Sequence, residues 1–178
     1  MSKLNSLMRN RQRQQTDCEG TSPESPELEV VIEVPFGSFL KRGSTGQLDF
    51  VSPFPCPFNY GSVEALVGLE GDLLDAVVLG PRLSRGSRVT VRAFGAVGLT
   101  DRGRYDDKLI CSHHPVGRWQ RFQVLFFFSF YARCKWLLNL FRGQTGRNAN
   151  EGWGDAKVAI ARARPRNEAA WEGPTIPF

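Results

Sequence analysis

Glu70-Gly71-Asp72-Leu73-Leu74-Asp75 places three carboxylates within six residues, and the apolar run Ala76-Val77-Val78-Leu79 follows before Gly80-Pro81 stops it. Gly71 allows a tight backbone turn, and the run beyond it reads as a buried strand able to hold the carboxylates rigidly. Carboxylates this close repel one another. A hard divalent cation among them removes the repulsion, and Mg²⁺ binds typically through one or two carboxylates together with substrate phosphates. The same six residues also read as a solvated acidic turn ahead of a strand, so the rest of the chain must decide. A second acidic group spans Asp101 to Lys108, with Asp106 and Asp107 inside it, and reads as a charged hairpin-like connection into a strand at Leu109-Ile110-Cys111-Ser112. Tyr60 stands between a loop stiffened by Pro53, Pro55 and Pro57 and the flexible Gly61. It could present its hydroxyl at a fixed point or simply fill the core. Glu33, within the first apolar alternation, reads either as solvent-facing or as a carboxylate on a site wall.

Other chemistries find less support. No P-loop glycine pattern and no Ser/His/Asp nucleophile arrangement is present. Cys18, Cys56, Cys111 and Cys134 form no C-x-x-C pair, which points to reduced thiols rather than a zinc knuckle or a disulfide framework. His113-His114 would face opposite ways on a strand, and Cys111 with His113 makes only two ligands. The net charge of +5 comes from scattered, partly terminal basic residues, so a phosphate-rich small substrate accounts for it as well as a polyanion does, and nucleic acid is not the expected partner.

The elements that must position these residues are short. The 178 residues, 41% hydrophobic and 23% charged, suit one globular domain with tails. Residues 1–27 are polar and basic and read as a disordered tail, although such a start also fits an organellar import sequence. A folded domain is expected over 28–164, with a frayed tail at 165–178. Strands are expected at Leu28–Val34, at a hairpin through Lys41–Gly46 into Gln47–Val51, at Ala76–Leu79 and at Val89–Val97. Short strands joined by tight turns suggest a small barrel or a sandwich. Phe122, Phe126 and Phe130 recur at a spacing of four and predict a helix over Arg121–Arg142 packing that stripe on the barrel, with a shorter closing helix over Asp155–Arg164. The most apolar segment, Val124–Tyr131, is too short for a membrane span, and a cytoplasmic protein is expected.

Val31-Ile32-Glu33-Val34-Pro35, Lys41, Pro57-Phe58-Asn59-Tyr60-Gly61, the run from Glu70 to Val78, Thr100-Asp101 and Asp106-Asp107-Lys108-Leu109 occur in an order that resembles the soluble family I inorganic pyrophosphatases. Weaker likenesses are Phe127-Phe128-Ser129-Phe130-Tyr131 and Glu151-Gly152-Trp153. The resemblance implies a mainly β fold with flanking helices (α+β), a five-stranded OB-like closed barrel with one long and one short C-terminal helix. It also implies several Mg²⁺ ions, hydrolysis of pyrophosphate to two orthophosphates, and a homo-oligomer. Carried over, Glu70, Asp75 and Asp106 would hold the primary metals, Asp72 would take a proton from the attacking water and stand, like Glu33, among the metal-site carboxylates, and Asp101 would join Asp106 around a further metal. Lys41, Arg42, Lys108, Tyr60 and Tyr131 would grip phosphate, and Glu33 would line the rim.

The chain departs from the family at several positions. Glu70 replaces the first aspartate, Gly43 a carboxylate, Ser52 or a neighbour an arginine, and Ala132 a lysine. Spacing leaves Lys41 and Arg42 as alternatives for one phosphate contact. The alternative reading is a catalytically weak or inactive relative that binds a phosphate compound or a protein.

Overall fold

Alternating β-branched residues make β1 (Glu27–Val34), in which Val30, Ile32 and Val34 are buried and the residues between them are only partly covered. The structure, a computed structural model, describes residues 25–42, 48–51, 54–101, 104–141 and 149–166; the expected tails therefore lie largely outside the described residues. After β1 come the hairpin β2 (Leu40–Arg42) and β3 (Leu48–Val51), then β4 (Asn59–Val67), β5 (Leu73–Val78), β6 (Arg88–Asp101) and β7 (Arg104–Ser112). Helix α1 (Arg118–Phe141), strand β8 (Ala149–Gly154), helix α2 (Ala156–Arg162) and the two-residue β9 (Arg164–Pro165) complete the order.

β1 pairs antiparallel with β4 on one side and with β6 on the other. β4 continues to β5, β5 runs parallel to β7, and β7 returns antiparallel to β6. Five strands thus close on themselves, which removes the unpaired edges an open sheet would leave. The expected five-stranded barrel with a long and a short helix is the fold observed. β8 adds to β6 outside this circuit, and β9 adds to β4, with the Arg166 amide donating to the Ala65 carbonyl at 2.9 Å.

The run Ala76-Val77-Val78-Leu79 is continuous rather than alternating because β5 is covered on both faces. Ala76 and Val78 join Val30, Ile32, Val63, Val91 and Leu109 inside the barrel, closed by Ala156 and Ala159 of α2. Val77 and Leu79 face outward, where Val97, Ile110 and the α1 residues Val124 and Phe128 cover them. Asp155 caps α2, its carboxylate accepting from the Lys157 and Val158 amides at 2.6 and 3.4 Å. Among the described residues no helix is long and apolar enough to cross a membrane.

The long helix differs from expectation in its inward face. Val124 and Phe128 are buried, whereas Phe122, Phe126 and Phe130 are 56%, 65% and 41% exposed, beside Trp119. The outward stripe stacks on itself, with Trp119–Phe122 and Phe122–Phe126 centroids 5.4 and 6.2 Å apart. Both stripes repeat every four residues, and a helix this apolar has no unique inward face by period alone. Residues 149–154, which lie between the two expected helices and carry no expected strand, form β8. Asn150 ties that strand to α1 by donating to the Leu125 carbonyl and the Ser129 hydroxyl at 3.2 and 2.9 Å. Trp153 covers Gly95 so closely that a Cβ there would fall 2.3 Å from its ring, and the Arg121 guanidinium lies 4.5 Å from the ring centroid. His113 and His114 lie exposed in the turn after β7, while Cys111 is inside the barrel with its thiol pushed up to about 12 by burial. Cys111 and His113 therefore share no strand face.

Residues 104–108 are part of β7 rather than a connection leading into it. The strand carries its charges because both of its faces have a use for them. Asp107 points toward α2, where Arg162 grips it through Nε and Nη2 at 2.9 and 2.8 Å and lies 5.0 Å over the Tyr105 ring. Arg162→Ala would leave the buried Asp107 carboxylate without this fork. We expect a loss of about 2 kcal/mol, read in a denaturant titration, with Mg²⁺-induced stabilisation unchanged because Asp107 faces away from Asp106.

Candidate active site

Strand alternation sends Asp106 and Lys108 to the face opposite Asp107. Parallel pairing of β5 with β7 then sets Asp75 beside Lys108 in register. The turn between β4 and β5 brings up the third acid. Gly68 and Asp72 close it, the Gly68 amide donating to the Asp72 carbonyl at 2.8 Å, and Gly71 sits in it at φ 95°, a conformation that favours glycine. Glu70, displayed by that turn, meets Asp75 and Asp106 so that one oxygen from each lies within 4.8 Å of the others.

The Lys108 ammonium pairs with both Asp75 and Asp106, and the three side chains are 8%, 16% and 11% exposed. Tyr60, from β4, hydrogen-bonds the Asp75 carboxylate, and its ring centroid is 6.0 Å from the Lys108 nitrogen. Burial raises the Tyr60 phenol well above its usual range, helped by the Asp75 charge. Burial disfavours the Lys108 charge, yet Asp106 and Asp75 outweigh it and hold the ammonium protonated. Asp106 is raised by burial against the pull of Lys108. Glu70 is pushed up to about 8, first by burial and then by Asp106 and Asp75, against Lys108, and its carboxyl hydrogen-bonds Asp106.

Two neighbours buttress this group. Ser62, the register partner of Asp75, donates to the Glu33 carboxylate at 2.7 Å, which puts Glu33 one strand away from the acidic cluster. Asn59 is fully buried and accepts from the Phe36 and Leu83 amides at 3.0 and 2.9 Å while donating to the Val78 and Pro81 carbonyls at 3.2 and 2.9 Å. It locks the entry to β4 and the exit from β5, a positioning role that its place beside Tyr60 signals but does not spell out.

The structure thus brings together Glu70, Asp75, Asp106, Lys108 and Tyr60, with Glu33 adjacent. Asp72 stands in the same turn, half-buried, with its carboxylate accepting from the Leu73 amide at 2.8 Å, and it is not one of the three converging acids. Tyr131 lies on α1, its ring stacked on Phe127 at 6.3 Å, and Phe127 in turn meets Phe58 at 5.7 Å. Asp101 ends β6 opposite Arg104, and Lys41 and Arg42 lie in β2; the side chains of these three are outside the described residues.

The family model described as Inorganic pyrophosphatase matches residues 30–126, more than half of the chain and the whole of this cluster. The chain belongs to the inorganic pyrophosphatase family. An inorganic pyrophosphatase of Leifsonia xyli is 35% identical over 144 residues, covering 74% of this chain and 88% of its own length. One from Streptomyces coelicolor is 33% identical over 125 residues, covering 59% and 77%. Among solved structures, the inorganic pyrophosphatase of Thermus thermophilus superposes with a TM-score of 0.63 at 27% identity, covering 80% of this chain and 88% of that one. That of Neisseria gonorrhoeae gives 0.61 at 25% identity, covering 76% and 86%.

Pyrophosphatases of this family use divalent metal, and the residues here fit one. Three carboxylate oxygens converge, they are the hard donors such ions take, and the site already stabilises a positive charge, that of Lys108. The raised Glu70 has a consequence for metal-free protein. Its folded pKa of about 8 exceeds the unfolded value of 4.5, so its contribution is full below about pH 4.5 and is lost as pH rises through about 8. Melting temperatures of metal-free protein should therefore fall across that window by more than those of Glu70→Gln, which has no such proton to lose.

Proposed function

We propose that the chain hydrolyses inorganic pyrophosphate to two orthophosphates with Mg²⁺, and that Glu70, Asp75 and Asp106 hold the ions. The observation that carries this reading is the convergence of those three carboxylates with Lys108 and Tyr60 in one largely buried group. Bound there, the ions would neutralise the anhydride's charge and make water acidic enough to act as a nucleophile near neutral pH. Asp72, on the turn that carries Glu70, takes the proton as the water oxygen bonds to one phosphorus. The bridging P–O bond breaks, and the bridging oxygen leaves with the second phosphate. Lys108 and Tyr60 donate to phosphate oxygens where negative charge gathers. Lys41 or Arg42, from the β2–β3 hairpin, and Tyr131, from α1, complete the grip. Asp101 joins Asp106 about a further ion, and Glu33 lines the rim.

In an assay of phosphate release and calorimetric Mg²⁺ binding, Asp72→Asn should lower turnover by about 10²-fold or more and leave metal affinity nearly unchanged. Equal losses in both would make Asp72 a ligand instead of the base. Gly43 and Ala132, where relatives of the family carry charged groups, favour a second reading in which the same site binds a phosphate compound with little turnover. A homo-oligomer in the cytoplasm belongs to the first reading. Support for the oligomer is the outward aromatic stripe of α1, whose burial between copies would remove that surface from water. Sedimentation should give at least two copies per particle.

A further inference from the structure

Lys108 holds two of the three acids assigned to the metal. Its ammonium pairs with Asp75 and Asp106, two of the three acids whose oxygens converge, and the side chain is 8% exposed. A divalent cation taken up by those oxygens would lie about one ion-pair distance from the ammonium, in a pocket with little water to screen the two. Asp75 and Asp106 would then face two cations at once, and of the two the ammonium is the one on a movable stem. The lysine has a flexible four-carbon stem, so its head can leave while its stem stays between the strands. Its parallel-register seat beside Asp75 keeps the released head close to Tyr60, the other donor of this face.

We propose that Lys108 is the internal counter-cation of the site: it neutralises Asp75 and Asp106 while metal is absent, is displaced when a divalent ion binds them, and only then meets the substrate phosphate. The proposal rests on the metal reading of the Glu70–Asp75–Asp106 group and adds to it what the lysine does before metal arrives. It also gives the buried lysine a role in the metal-free protein, where Lys108 keeps the acids from repelling one another.

The test is calorimetric Mg²⁺ binding, with thermal melting, on the full chain and on Lys108→Met and Lys108→Arg. Lys108→Met should bind Mg²⁺ about tenfold tighter or more, because no ammonium has to be moved, and it should gain more melting temperature from Mg²⁺ than the wild type does. Lys108→Arg keeps the charge and should bind no tighter than wild type. Equal or weaker Mg²⁺ binding by Lys108→Met overturns the proposal while leaving the metal reading intact. No uptake by any of the proteins removes the metal reading, and the proposal with it. A measurement on the wild type alone guards against a misfolded variant. The ¹⁵N-labelled Lys108 ammonium should give a slowly exchanging resonance without metal that shifts and loses its protection at saturating Mg²⁺, and a resonance unchanged at saturation overturns the displacement.

Discussion

Asp75→Ala should lower Mg²⁺-dependent phosphate release by about 10³-fold or more and erase the rise in melting temperature that Mg²⁺ gives the wild type. Asp75 meets each of the other four groups in the cluster. It faces Glu70 and Asp106, pairs with Lys108 and accepts from Tyr60. Its removal takes away one of three metal-holding carboxylates and also loosens the two groups assigned to phosphate. The metal-free protein should lose less, about 1 to 3 kcal/mol, because Lys108 keeps Asp106 as a partner and is not left as an unpaired buried charge. An Mg²⁺ shift that survives in Asp75→Ala, measured by scanning calorimetry, would take Asp75 out of the metal site.

Gly61→Ala should have the largest effect on folding. A Cβ at this position would fall 1.9 Å from the Val31 carbonyl oxygen and 2.8 Å from its carbon. Both are backbone atoms of the neighbouring strand, so no side-chain rotation relieves the clash, and β1 must separate from β4. The pairing of Val31 with Ser62 and Ile32 with Gly61 is a seam of the closed barrel. We expect a loss of about 3 to 5 kcal/mol, or about 10 °C in melting temperature for a chain of this size. Gly154→Ala is the control. Its Cβ would meet only the Ala96 carbonyl at 3.9 Å, ordinary contact, and it should cost under about 1 kcal/mol. Similar melting temperatures for the two variants would contradict the close approach at Gly61.

The acidic cluster was legible because its residues come in short local groups. Glu70 to Asp75 lie on one turn and strand start, and Asp106 with Lys108 follow the two-residue period of β7. What spacing could not supply is the parallel β5–β7 register that sets Asp75 beside Lys108, since parallel neighbours are joined through a long excursion, here all of β6. For the same reason the resemblance assigns Lys108 only to phosphate, and the fold shows it pairing with two carboxylates. β1 and β6 are legible as alternation and β5 as an apolar run, but β4 and β8 are not. Ala149–Gly154 has two glycines and one large apolar residue, and it is a strand because Trp153 finds the hollow over Gly95 and Asn150 finds α1. The four-residue spacing of Phe122, Phe126 and Phe130 points the wrong stripe of α1 inward, as apolar residues lie on more than one side of that helix and contact with β5, β6 and β7 selects Val124 and Phe128.

The central claim is that the Glu70–Asp75–Asp106 group drives pyrophosphate hydrolysis through a divalent ion. The most direct test is phosphate release from pyrophosphate by the full chain, with and without Mg²⁺, beside Asp106→Asn. Release that requires Mg²⁺ and falls by about 10²-fold or more in Asp106→Asn is the predicted result. Wild-type release that is absent, or that proceeds equally with the metal chelated, would contradict it.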